Sequence, residues 1–210
     1  MWTHLGDFAD SPDWATTQPT NDMSSSQTVC DFVAALAAKQ PTPGGGAAAA
    51  VGAAVGAAAA AMSAQYTQRK KDVESGAAEV AKELIAKLDC ATLLASADAD
   101  AAAYADLQRS WKDSQMTEDE KAAIAATALA VPVSLVEQCH AHIASIKAFL
   151  PSCNPNITSD AKVGIHQLAG AARAAFQTAL VNKPPAEEAA RLRTLLREIR
   201  DIEEELLEEM

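Results

Sequence analysis

The sequence predicts an all-α fold, a multi-helix bundle around a long helix of glycine and alanine, and three observations carry that prediction. Aromatic residues make up only 4% of the chain while alanine is abundant and 49% is hydrophobic, which favours helix packing over sheet. Few windows alternate apolar and polar residues as a half-buried strand would. Finally, from Pro41 to Met62 the chain is almost entirely small residues, and a helix so poor in side chains is stable only when other helices surround it.

Taken in order, Ser24 to Gln40 predicts a first helix capped by Ser26 or a neighbour, with Val29, Phe32, Val33, Leu36 and Ala37 on its apolar stripe. The small-residue helix follows from Pro43 to about Gln68, with Thr42 as N-cap and Pro43 in the first helical position. Gly52 and Gly56, four apart, share one face, where another backbone or a flat ligand can come close. Arg69, Lys70 and Lys71 then stand at the helix end, where cations complement the dipole.

Asp72 to Trp111 contains no proline and only Gly76, predicting one very long helix or two with a soft junction, its core side marked by Val80, Leu84, Leu88, Leu93 and Leu94. Asp98, Asp100 and Asp106 interrupt an alanine-rich stretch there, and by pattern alone such acids are a solvated face. Thr117 and Glu120 form a capping box that opens a helix running to Leu150, with a kink expected at Pro132. After a loop over 151–158, Ser159 is expected to cap another helix carrying Asp160 in its first turn. A last helix from Ala186 to Glu209 repeats Leu192, Leu195, Ile199, Ile202 and Leu206 at three and four, a seam for the bundle or for a second copy.

Length suits one helical domain over 24–210, preceded by a flexible tail over 1–23 whose candidate anchors are Trp2, Phe8 and Trp14. That tail has neither the basic start nor the apolar core of a secretory signal. A net charge of −11 argues against nucleic acid as a partner, since no basic stripe is present to hold phosphates; an anionic ligand would need a local basic cluster. The uncharged run from Gly44 to Ala64 has the length of a membrane span, but alanine favours insertion weakly and no aromatic belt flanks it, so no membrane partner is expected. Cys30, Cys90, Cys139 and Cys153 are widely separated, suggesting reduced thiols in a cytoplasmic protein. His140 and His142 point to different helix faces and His166 has no partner at ligand spacing, so no metal site is expected.

The string from Phe32 to Gly46, ending in Pro-Thr-Pro-Gly-Gly-Gly ahead of a small-residue helix, resembles the opening signature of the formiminotetrahydrofolate cyclodeaminase and methenyltetrahydrofolate cyclohydrolase family. Further matches follow in order over about residues 24–207: Lys70 and Lys71, the segment Asp98 to Tyr104, Lys112, Val131-Pro132, Glu137, Asn154, Ser159-Asp160 and Asn182. Thr178 departs from the pattern, standing where the family carries asparagine, and Arg69 replaces a residue that is usually small.

The resemblance implies an enzyme of folate one-carbon metabolism. In the cyclodeaminase reaction the second folate nitrogen attacks the formimino carbon of 5-formiminotetrahydrofolate, and ammonia leaves to give the 5,10-methenyl compound. The sibling cyclohydrolase opens the methenyl bridge with water, and a non-catalytic helical scaffold of the same fold is the third reading. Ring closure needs proton transfer, which the resemblance assigns to Asp98, Asp100 and Asp160, with burial raising a carboxyl's pKa toward the working range. It assigns substrate binding to Pro43, Gly44, Gly45, Gly46, Lys70, Tyr104, Lys112, Asn154 and Asn182. The lysines would meet the glutamyl carboxylates, and the glycine corner would lie against the pterin. No cofactor or metal is implied, and a homodimer with the glycine corner near its interface is.

Overall fold

In a computed structural model the chain is described over residues 23–208, and no strand occurs among the described residues. Trp2, Phe8 and Trp14, named above as anchors, lie outside them. Eight α-helices follow one another: α1 Val29–Ala37, α2 Gly45–Gln65, α3 Lys70–Glu74, α4 Ala77–Lys87, α5 Cys90–Lys112, α6 Glu118–Phe149, α7 Thr158–Val181 and α8 Ala186–Glu208. Short 3-10 turns occupy Ser24–Ser26 and Leu150–Ser152.

The first two helices start later than their sequences suggest. In α1 the cap is Thr28, whose hydroxyl oxygen accepts from the Asp31 backbone N–H at 3.1 Å. The helix stops at Ala37 because Ala38 turns extended, and the Ala35 carbonyl accepts from both the Ala38 backbone N–H at 3.2 Å and the Gln40 side-chain amide at 2.9 Å. In α2 neither Thr42 nor Pro43 is helical. Gly44 is the extended N-cap, its carbonyl taking the first helical bond from Ala48 at 3.0 Å.

α2 packs against α7, α5, α4 and α6, burying eleven of its residues, of which eight are alanine. The crossing with α7 is the tightest. A Cβ added to Gly56 would lie 2.8 Å from the Cβ of Gln167, and one added to Gly164 would lie 2.7 Å from the Gly56 carbonyl oxygen. Gly52 has room, its added Cβ meeting nothing nearer than Ala171 at 4.0 Å, so only one of the two helix glycines expected to admit a close neighbour does so.

The one long helix, or two, expected over 72–111 is three. Arg69, Lys70 and Lys71 open α3 rather than closing α2: the Arg69 backbone N–H donates to Asp72 at 2.9 Å, and its guanidinium grips the same carboxylate at 2.7 and 2.8 Å. Gly76 breaks the chain at φ +82°, a conformation that favours glycine. The second break falls at Leu88 and Asp89, where the Asp89 carboxylate caps α5 by accepting from the Thr92 N–H at 2.9 Å.

α6 opens at Thr117 with the expected capping box and passes through Pro132 as one helix. α7 begins at Thr158 with Ile157 in the cap position rather than Ser159, because the Asp160 backbone N–H donates to the Ile157 carbonyl at 3.1 Å. The seam of α8 packs on the bundle, with Leu192, Ile199 and Leu206 buried and Leu195 and Ile202 against the core. Around it Arg191 pairs with Glu137 at 2.7 Å and His140 with Glu198 at 2.6 Å, while Lys147 pairs with Glu205.

Among the described residues two helical stretches, α2 and Glu118–Ser152, are long and apolar enough by length and composition to cross a membrane. Just over half of the apolar window in α2 is buried against other helices, and α6 buries Cys139, Ile143, Ile146 and Phe149 against its neighbours. Both are read as bundle helices.

Candidate functional site

The N-terminal end of α2 faces a cavity of about 430 Å³. Pro41, Thr42, Gly44, Gly45 and Gly46 form one wall; Asp100, Ala103, Tyr104 and Leu107 of α5 form another. Ala128 of α6, Gln177, Thr178 and Val181 of α7 and Asn182, the residue that caps α7, close it. Helix periodicity explains the grouping: 100, 103, 104 and 107 lie on one face of α5, as do 177, 178 and 181 on α7, with Asn182 at its C-cap.

Asp100 is the charged residue of that lining, and Gly46 is what admits it. A Cβ on Gly46 would lie 2.0 Å from the Asp100 carboxylate oxygen Oδ1, so only glycine lets the carboxyl settle on the first turn of α2. Burial raises the Asp100 pKa above the ordinary carboxylate value, and the backbone N–H of Ala47, donating to it, opposes that rise in part. A partly buried carboxyl of raised pKa therefore sits at the start of a helix, where the Ala47 N–H points at it. Gly45, one residue earlier, has nothing within 4 Å of an added Cβ and borders open space.

Asn182 is positioned by a proline. Pro132 has no N–H, so within α6 the carbonyl four residues earlier, on Ala128, loses its helical donor. The Asn182 side-chain amide supplies one, donating to the Ala128 oxygen at 2.9 Å. Both residues line the cavity, so the interruption of α6 and the end of α7 are tied together at its wall. Tyr104 lies edge-on to Trp111, ring centroids 6.3 Å apart at 84°.

The sequence-derived site residues divide. Gly44, Gly45, Gly46, Asp100, Tyr104 and Asn182 meet at this cavity, with Pro43 buried behind them. Asp98 is two residues from Asp100 and turns elsewhere, its carboxylate accepting from the backbone N–H of Ser25 at 3.3 Å. Lys112 is exposed at the end of α5.

Lys70, Asn154 and Asp160 lie at the other end of α2, roughly 30 Å away by helix rise. There the Asn154 amide donates to the Tyr66 carbonyl at 3.1 Å and its backbone N–H to the Thr67 hydroxyl at 3.0 Å, closing the C-terminus of α2. Lys70 is exposed and pairs loosely with Glu74 at 3.8 Å, and Asp160 sits in the first turn of α7. A wider cavity of about 630 Å³ opens there among Arg69, Lys71, Asp72, Gly76 and Cys153.

Gln177 and Ala128 were not signalled by motif, and Thr178 only by its departure from the family pattern. Proline in the middle of α6 and an asparagine one turn after Thr178 are the sequence features that could have pointed to this wall. Among the described residues no group of three or more His, Cys, Asp or Glu is arranged to hold a metal ion.

The profile of the formiminotransferase-cyclodeaminase family matches residues 28–201. No curated protein matches the chain. Among solved structures the chain is similar to the formiminotetrahydrofolate cyclodeaminase of Thermotoga maritima, at 23% identity and a TM-score of 0.66, over 85% of this chain and 91% of that one. At that identity the likeness establishes the helical fold.

Proposed function

The chain belongs to the formiminotransferase-cyclodeaminase family, and from that premise we propose that it converts 5-formiminotetrahydrofolate to 5,10-methenyltetrahydrofolate and ammonia. The observation that carries this reading is the partly buried Asp100 carboxyl, its pKa raised, held over Gly46 at the floor of the cavity. The pterin lies against the Gly44–Gly46 wall, where small residues allow close approach and the helix start offers backbone donors.

Nitrogen N10 attacks the protonated formimino carbon of N5 and forms a tetrahedral carbon joined to three nitrogens. Asp100, as carboxylate, takes the proton from N10 and passes it to the amino nitrogen. The carbon–nitrogen bond to that amine then breaks, ammonia leaves, and the remaining cation is the methenyl bridge. One proton moves from N10 through Asp100 to the leaving group, so positioning and proton exchange by the chain's own residues suffice.

The proposed assembly is a homodimer, supported by Val55 and Met62, which leave an apolar strip of α2 exposed, and by Val163 and Val181 on α7. Light scattering at micromolar concentration that returned a monomer would remove the dimer.

The reaction is tested by offering purified protein 5-formiminotetrahydrofolate and, separately, 5,10-methenyltetrahydrofolate, following methenyl absorbance and released ammonia. Ammonia release with rising methenyl signal is expected. Decay of the methenyl compound, without ammonia from the formimino compound, would make the protein a cyclohydrolase. Inactivity toward both would leave a scaffold of the family fold.

A further inference from the structure

On the side of α2 that the other described helices leave open, Val55 stands at the middle of the helix and is 56% exposed. Ala48 and Met62 lie seven residues to either side of it, and Gly44 and Tyr66 lie eleven, spacings that return to the same face. That face is therefore small in its N-terminal half and large in its C-terminal half. Beside it α7 exposes Val163, Gln167, Gly170, Ala174 and Val181 at helical spacing, while its His166 and Arg173 are turned to Glu203 of α8.

α2 carries no charge from Gly45 to Gln65 in a chain of net charge −11, so two copies can approach here without repulsion. A second copy laid antiparallel, with a two-fold axis at Val55, sets Met62 of each copy against Ala48 of the other, large against small. A parallel copy would set Met62 on Met62 and leave a gap between the alanines. α2 is about 30 Å long and α7 packs about 8–10 Å beside it, so two such plates bury on the order of 1,200 Å², the lower end of a stable specific interface.

The same axis decides what stands at the cavity. Gly44 lines its wall and has nothing within 4 Å of an added Cβ, so the cavity is open on that side. The residue that the antiparallel copy brings opposite Gly44 is Tyr66, 61% exposed, its backbone fixed by the Asn154 amide, which donates to the Tyr66 carbonyl at 3.1 Å. Resting on the folate reading above, we propose that a second copy pairs antiparallel along α2 and that the partner's Tyr66 closes the open side of the cavity, its ring stacked on the pterin. The site is then complete only in the dimer: Asp100 and the glycine corner come from one chain and the covering ring from the other.

The pairing is tested first, on the full chain without ligand. Cys30 is exposed, so the background is Cys30→Ser. Mild oxidation of Val55→Cys should join two chains into a covalent dimer on a non-reducing gel. Val163→Cys should not, because Val163 lies beside Ala60, five residues from the axis, and so about 15 Å from its own mate. Val55→Arg should give a monomer by light scattering, with unchanged helical circular dichroism and lost turnover.

Tyr66→Ala should remain a dimer and weaken tetrahydrofolate and 6-methyltetrahydropterin binding alike, by about tenfold. The decisive measurement refolds it together with Asp100→Asn. In a mixed dimer one site has both an intact Asp100 and an intact Tyr66 from the other chain. An equimolar mixture should therefore turn over subsaturating 5-formiminotetrahydrofolate at about a quarter of the parental rate, several times the mean of the two variants alone.

A monomeric parent, a Val163→Cys cross-link as strong as that of Val55→Cys, or a mixture that stays at the mean of its two variants overturns the proposal. If the parent binds neither compound, the folate reading fails and the stacking role of Tyr66 falls with it, while the Val55→Cys cross-link still decides the pairing.

Discussion

The two ends of α2 are built from similar polar materials and reach opposite outcomes. At the C-terminal end every prominent polar group is satisfied within the chain: Asn154 caps Tyr66, the Thr67 hydroxyl donates to the Ser63 carbonyl at 2.9 Å, and Arg69 clasps Asp72. At the N-terminal end the cap is Gly44, which has no side chain to close the helix, and the carboxyl that approaches does so by burial against Gly46. A closed end is architecture; an end with no capping side chain and a partly buried acid of raised pKa is where a ligand can compete.

The electrostatics of the two carboxylates have opposite signs. The Arg69 guanidinium, by hydrogen bonding, pulls the Asp72 carboxyl down to about 2, whereas burial pushes Asp100 up. For Asp72 the folded value lies below the unfolded one, so its contribution to stability is present above the ordinary carboxylate pKa and is lost as pH falls through about 2. For Asp100 the folded value lies above the unfolded one, so its contribution is present at low pH and is lost as pH rises through the folded value. At neutral pH Asp72 holds its end together, whereas Asp100 costs stability there.

The largest effect expected is therefore on turnover. Asp100→Asn should lower kcat by about a hundredfold or more, since a proton-transfer group is removed. It should also unfold at a higher temperature than the parent at pH 7, with the gap closing as the pH is lowered. Asp98→Asn, bound to Ser25 outside the cavity, should lose far less activity. Equal losses in the two variants, measured by methenyl formation, would break the contrast drawn between them.

Next come the adjacent glycines. Gly46→Ala places a methyl 2.0 Å from the Asp100 oxygen, which should destabilise by about 1–3 kcal/mol or expel the carboxyl and abolish turnover. Gly45→Ala meets nothing within 4 Å and should stay near the parent in both thermal unfolding and rate. The close approach at the glycine corner is therefore made at Gly46 and not at Gly45.

A smaller effect belongs to the cavity wall. Asn182→Ala leaves the Ala128 carbonyl without the donor that replaces Pro132, and should cost about 1–3 kcal/mol in denaturant unfolding. Pro132→Ala in the same background should recover part of that loss by restoring a helical N–H. Additivity of the two changes would dissolve the proposed link between α6 and α7.

The smallest effect is expected at the far end, where Lys70→Ala removes an exposed, loose pair and should shift stability by no more than about 0.5 kcal/mol. Its influence on folate affinity is the sharper readout. Within one chain Lys70 stands about a helix length from the cavity, so weakened folate binding in this variant would mean that a second copy brings its lysine to the site.

Much of this was determined locally and could be read without coordinates. The helical class, the Thr117 capping box, the α8 seam and the glycine string are short-range patterns: each depends on residues a few positions apart, and the structure contains them. The break at Asp89 was legible too, since an aspartate three residues before a threonine is an N-cap signal, but the apolar spacing across it suggested continuity.

Tertiary packing alone decided which residues meet. Asp98 and Asp100 look equivalent in sequence, and the rotation of α5 against α2 sends one to Ser25 and the other onto Gly46. Lys70 and Asn154 follow the glycine motif in the same series of matches, yet α2 separates them from it because a straight helix keeps its ends apart. Asn182 finds Ala128 across 54 positions because a proline left a carbonyl unpaired, a deficit that sequence shows and a partner that only the fold supplies.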